Sequence, residues 1–91
     1  MDTVKMGLQT RFYDRITFIS NIYVPSGGLV VSSNPLVSII PKIVDGEGEE
    51  SFVFVRNVNY NCIVNYNEVI AKIIPLAALT PAVTEGVTTN V

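Results

Sequence analysis

At 91 residues the chain has room for one domain, and a domain of that length buries roughly two-thirds of the surface its unfolded chain exposes. Apolar residues make up 48% of the sequence and charged residues only 15%, so burial or contact with neighbouring chains must absorb the low charge, and an oligomer or larger assembly is expected. The net charge is −2, histidine is absent and Cys62 is the one cysteine, which excludes His-based acid–base chemistry, Cys–His nucleophilic catalysis and zinc held by Cys or His within one chain.

Strand signals dominate, because β-branched and aromatic residues are frequent and their runs are short and punctuated by Gly, Pro, Asn and Ser. Arg15 to Val24 places Ile16, Phe18, Ile22 and Val24 on one side and Thr17, Asn21 and Tyr23 on the other, the period-two pattern of a half-buried strand, which Ile19 and Ser20 break. Pro25-Ser26-Gly27-Gly28 then predicts a chain reversal, since Pro presets φ and Gly tolerates positive φ. Leu29 to Ser32 and Leu36 to Val44 are further short strands separated by Ser33-Asn34-Pro35. Within the second, Pro41 lacks the amide donor a central strand needs and predicts a bend or a sheet edge.

Asp45 to Glu50 reads as a polar loop, and Phe52 to Val55 as a strand apolar on both faces, expected in a sheet covered on both sides. Val-Asn-Tyr-Asn occurs at 58–61 and again at 64–67, which predicts two turns flanking a very short strand, because Asn tolerates left-handed backbone angles. Between them Cys62 reads as a small buried hydrophobe. Glu68 to Leu76 is the most apolar run. Helix over Val69–Ala78 is its alternative, opposed by Pro75. Residues 1–76 thus form one all-β domain, and Ala77 to Val91 turns small and Thr-rich, an extended tail suited to exchange with a neighbour.

Few groups are placed for chemistry. The acidic stretch 45–50 could hold calcium or magnesium, but its order does not match the spaced ligands of an EF-hand, and a solvated turn is the expected state. Pro25 to Leu29 could offer backbone amides to a phosphate, yet no helix or lysine follows. No catalytic, metal-binding or cofactor-binding residue is assigned from pattern alone. The six basic residues Lys5, Arg11, Arg15, Lys42, Arg56 and Lys72 are spread along the chain, so nucleic acid is not an expected partner. No apolar run approaches the ~20 residues of a membrane-spanning helix, and Met1 to Lys5 lacks the core of a signal peptide, so neither membrane nor secretion is expected.

The region from about Pro25 to Leu76 resembles the central and C-terminal part of the trimeric deoxyuridine triphosphatase (dUTPase) family. Glu68-Val69-Ile70-Ala71-Lys72-Ile73-Ile74 is similar to the family's fourth motif, G-D-R-I-A-Q-L. Val44-Asp45 with Gly46 to Ser51, and then Phe52 to Asn57, is similar to the third motif, V-I-D-x-x-Y-R-G, and the strand after it. Pro25-Ser26-Gly27-Gly28-Leu29 is a looser echo of the second, P-R-S-G-L. The resemblance implies a small jelly-roll-like, dUTPase-like β-sandwich or barrel that forms a trimer. It puts Asp45 where the family keeps the aspartate that engages the deoxyribose and activates water, and Ser26 near the phosphate-binding serine.

The departures are positional. Val69 stands where the fourth motif has arginine, the aromatic of the third is replaced within Gly48-Glu49-Glu50, and the arginine of the second is absent. The first motif, with its metal-binding aspartate, and the Gly-rich fifth motif have no counterpart. Phosphoryl transfer depends on metal and cationic groups that neutralise developing charge. The expectation is therefore a non-enzymatic structural or assembly module without cofactor, self-associating and contacting other structural proteins. The resemblance implies a setting in a virus particle, as a virion or capsid component, or in a retroelement, located in the virion or the host cytoplasm. Two alternatives are a minimal dUTPase-type hydrolase using Asp45 and Ser26 with borrowed magnesium, and a peptide- or nucleotide-binding module without turnover whose candidate edge is Leu36–Val44.

Overall fold

Short alternating runs bounded by turn residues leave the chain few ways to bury its apolar side chains except by stacking sheets. The computed structural model describes residues 2–77 and is all-β. Its strands are β1 (Thr3–Lys5), β2 (Thr10–Phe12), β3 (Ile16–Val24), β4 (Gly28–Ser32), β5 (Val37–Ile39), β6 (Lys42–Val44), β7 (Gly48–Arg56), β8 (Cys62–Val64) and β9 (Val69–Ile74). They pair antiparallel in a four-stranded sheet ordered β1-β9-β4-β6, a three-stranded sheet ordered β3-β7-β5 and a two-stranded ribbon of β2 and β8.

One core joins all three sheets. The first sheet contributes Val4, Val30, Val44, Ile70, Ala71 and Ile73, the second Ile22, Val24, Val37, Ile39, Phe52 and Phe54, and the ribbon Phe12, Cys62 and Val64. The Phe12 and Phe54 rings meet at 5.3 Å between centroids. Pro41 acts as expected: the chain breaks at Ile40-Pro41, so that β5 lies at the edge of one sheet and β6 at the edge of the other. Ser32 Oγ spans the gap there, accepting from the Ile39 amide at 2.8 Å and donating to its carbonyl at 3.1 Å. The segment 25–27 likewise carries the chain from one sheet to the other, since β3 and β4 do not pair.

Two bulges decide which side chains face the core. In β9, Val4 opposes Ala71 and Lys5 opposes Val69, leaving Ile70 as an extra residue. Consecutive Ile70 and Ala71 are both buried as a result. In β3, Ile19 opposes Phe52 and Ile22 opposes Glu50, so Ser20 and Asn21 together face Ser51, and Asn21 takes the left-handed φ of 62°. The bulge shifts the phase of the strand. Ile22 and Val24 point inward as the alternation predicts, but Ile16 and Phe18 point outward and are 64% and 67% exposed. They do not share a face with Ile22 and Val24, and the apparent misfits Ile19 and Ser20 mark the change of phase.

Other expectations change or hold. Gly48 to Glu50 belong to β7, paired with Ile22, Tyr23 and Val24, so the acidic loop contracts to 45–47. Phe52 and Phe54 are buried while Val53 and Val55 are half-buried on the outer side, so the described residues cover this sheet on one face only. Residues 69–74 are strand, not helix, and Cys62 is buried in the ribbon between the two Val-Asn-Tyr-Asn segments. Asn67 in the second of these has a φ of 69°. The tail from residue 78 onward lies outside the described residues.

Replacing Phe54 by Ala removes the ring that ties β7 to the ribbon and is expected to lower the unfolding free energy by about 3–5 kcal/mol, measured by urea denaturation. At the bulge, Asn21→Val is expected to cost about 1–2 kcal/mol in the same assay, because a β-branched side chain is strained at a left-handed φ, whereas Asn21→Gly is tolerated.

Candidate functional site

The three segments likened to dUTPase motifs meet around β4, which lies between β6 and β9 in the four-stranded sheet, while the third runs on from Val44 into β7 of the other sheet. Gly28 opposes Val44 and Leu29 opposes Ile74, so the turns beginning at Pro25 and Asp45 sit side by side. Their approach depends on glycine. A Cβ on Gly27 would lie 2.6 Å from the Asp45 carbonyl oxygen, and one on Gly28, whose φ is +150°, would lie 2.2 Å from that of Ile74.

No hydrogen bond joins the Ser26 and Asp45 side chains. Ser26 Oγ donates to Asp2 Oδ2 at 2.6 Å rather than to Asp45. Among the described residues no hydrogen bond or ion pair involves the exposed Asp45 carboxylate. Val69, likened above to the arginine of the fourth motif, is half-buried in β9 opposite Lys5. Of the acidic stretch, Glu50 pairs with Lys42 at 3.0 Å, and Glu47 accepts a hydrogen bond from the Tyr23 hydroxyl. No group of three Asp, Glu or Cys side chains suited to a metal ion occurs among the described residues. An open cleft of about 440 Å³ lies nearby, lined in part by Asp2, Lys5, Tyr23, Pro25, Tyr66 and Asn67, and it contains neither Asp45 nor Ser26.

Many polar side chains elsewhere hold turns. Asn34 Oδ1 accepts from the Leu36 amide at 2.8 Å, while its Nδ2 donates to the Val69 carbonyl at 2.8 Å and to Glu68 Oε2 at 3.1 Å. Arg56 donates from Nε to the Val58 carbonyl at 2.9 Å and from Nη1 to the Tyr13 carbonyl. Ser38 Oγ donates to Asn57 Oδ1 at 2.8 Å, and Asn57 Nδ2 reaches the Pro35 carbonyl at 3.3 Å.

The prominent surface feature is the outer side of the β3-β7-β5 sheet. Ile16 opposes Val55, which opposes Ser38, and Phe18 opposes Val53, whose carbonyl accepts from the Ile40 amide at 3.0 Å. Ile16, Phe18 and Ile40 are more than half exposed, so two rows of side chains form an apolar face without a charge in either row. A shorter apolar row, Ile43-Leu29-Ile74, crosses the other sheet. The β3-β7-β5 face was hidden in the sequence because it depends on the bulge and on the register of three strands.

The hydrogen bond to Glu47, with smaller effects of desolvation and of that carboxylate's charge, raises the Tyr23 pKa above the ordinary tyrosine value of 10.0. The protonated hydroxyl is thus favoured by the fold. Any stability it adds is present below the unfolded tyrosine pKa and is lost as pH rises through the higher folded value. Ultraviolet absorbance titration is expected to show a late-ionising tyrosine that disappears in Tyr23→Phe and shifts to lower pH in Glu47→Gln. No protein-family model, no curated protein and no solved structure matches this chain.

Proposed function

We propose that the chain is a non-enzymatic assembly module, a dUTPase-like β scaffold that works by self-association and by contact with other structural proteins. The observation that carries this reading is the apolar patch formed by two uncharged rows on the outer face of the β3-β7-β5 sheet, with Ile16, Phe18 and Ile40 each more than half exposed. A contiguous apolar face marks an interaction surface, because leaving it in water forgoes the burial that drives association. The dUTPase-like part of the reading draws on β4, which follows the turn at Pro25, lying between β6, which ends just before Asp45, and β9, which begins at Val69. The non-enzymatic part draws on Ser26 bonding Asp2 rather than Asp45 and on Val69 standing in place of a cation.

The resemblance carries the setting with it: a component of a virus particle or retroelement, found in the virion or host cytoplasm, with a threefold arrangement of copies. The runner-up is a dUTPase-type hydrolase in which Asp45 activates water. What favours it is the approach of the Gly27 and Asp45 backbones, which brings two of the required segments together.

Light scattering is expected to give a mass above that of one 9.9 kDa chain at roughly 100 µM, a concentration that populates even modest affinities. A monomer there, with no partner retained, overturns the assembly reading. Incubation with deoxyuridine triphosphate and magnesium is expected to release no pyrophosphate above background, and release that is lost in Asp45→Asn would establish the hydrolase instead.

A further inference from the structure

Among the described residues β3 is the longest strand with a sheet partner along one edge only. The direction of its backbone groups follows from the register. The Arg56 amide donates to the Arg15 carbonyl at 2.8 Å, so Arg15 directs its polar groups toward β7. In an antiparallel strand alternate residues face the partner, so Thr17 and Ile19 do the same and Ile16 and Phe18 direct their N–H and C=O groups away from it. The two residues that expose apolar side chains therefore also expose their backbone donors and acceptors. By contrast, the outward groups of Ile39 on β5 are taken by Ser32 Oγ.

Proteins ordinarily guard such an edge with lysine, proline or inward charge. Ile16 to Val24 has none of these, and its bulge at Ser20-Asn21 disturbs only the far half. The near half is straight in register from Ile16 to Ile19. We propose that two copies of the chain pair antiparallel along this near half of β3, across a twofold axis at Thr17, joining two three-stranded sheets into one of six strands.

The pairing is self-complementary. With the axis at Thr17, Ile16 of one copy stands opposite Phe18 of the other, and each such pair exchanges both of its outward backbone hydrogen bonds. The side chains of these pairs lie on the outer face, where an aromatic ring meets a β-branched side chain across the new junction. Arg15 falls opposite Ile19, so no like charges meet. This absence of repulsion is what favours a second copy over a charged foreign strand. The proposal rests on the assembly reading and gives it a geometry, and a threefold contact elsewhere on the surface would combine with it in dihedral symmetry.

The test uses the full chain in sedimentation velocity over a concentration series, with amide hydrogen exchange followed at the concentrated and dilute ends. Ile16→Pro removes an outward donor without touching the β3–β7 ladder, and Phe18→Lys places a charge at the junction as an independent variant. Each is expected to weaken self-association at least tenfold. The Ile16 and Phe18 amides of the unaltered chain are expected to exchange at least tenfold more slowly when concentrated. Association that persists in both variants, with those amides exchanging equally fast at both ends, overturns edge pairing and leaves self-assembly standing. A chain monomeric at every concentration overturns both.

Discussion

The contact between Phe12 and Phe54 joins elements that hydrogen bonding leaves separate. Phe12 belongs to the β2-β8 ribbon and Phe54 to the centre of the β3-β7-β5 sheet, and both are almost wholly removed from solvent. Three-residue strands cannot stand alone, since their few ladder bonds do not offset the backbone entropy lost on ordering. The ribbon exists because its inward residues, Phe12, Cys62 and Val64, complete a core to which the other sheets have already committed Val, Ile and Phe side chains. Backbone hydrogen bonds hold the molecule within its sheets, and burial, helped by side-chain bridges such as Ser32 to Ile39 and Lys42 to Glu50, holds it across the gaps between them.

That division explains where the polar side chains went. A chain that changes sheets after Val24, again at Pro41 and again at Asp45 has many turns whose backbone groups need partners. Asn34, Ser32, Asn57 and Arg56 supply them, and no buried side-chain nitrogen or oxygen is left without a partner among the described residues. Glu68 is drawn into the same work, accepting from the Asn65 amide and from Asn34. Many of the polar side chains are thus committed to turn geometry, while the outer face of the three-stranded sheet carries the apolar rows around Ile16 and Phe18.

Strand content was legible in the sequence where a run was long enough to show its alternation or its bounds, as in β4, β5, β6 and β9. β1 and β2 escaped, because Thr-Val-Lys and Thr-Arg-Phe each bury a single side chain and are paired only by distant strands. Gly48 to Glu50 looks like loop by composition, yet its exposed or half-exposed side chains cost nothing in a strand whose outer side meets water. The phase of β3 was the consequential miss. Counting by twos cannot detect one inserted residue, and the local signal was Asn21, a residue that tolerates left-handed angles. The site followed the same limit: the meeting of the turns at Gly27 and Asp45, and the rows Ile16-Val55 and Phe18-Val53, are products of long-range register rather than of local pattern.

The bulge at Ser20-Asn21 gives the strand two independent reading frames. The half after it is locked to the core by Ile22 and Val24, while the half before it displays Ile16 and Phe18. Without the extra residue, Ile19 and Ile22 would still oppose Phe52 and Glu50 with a single residue between them, so strict alternation would return and Ile16 and Phe18 would stay outward. A lineage could therefore lose the bulge by one codon's deletion and keep the apolar rows, with only the local bend and twist of the strand altered.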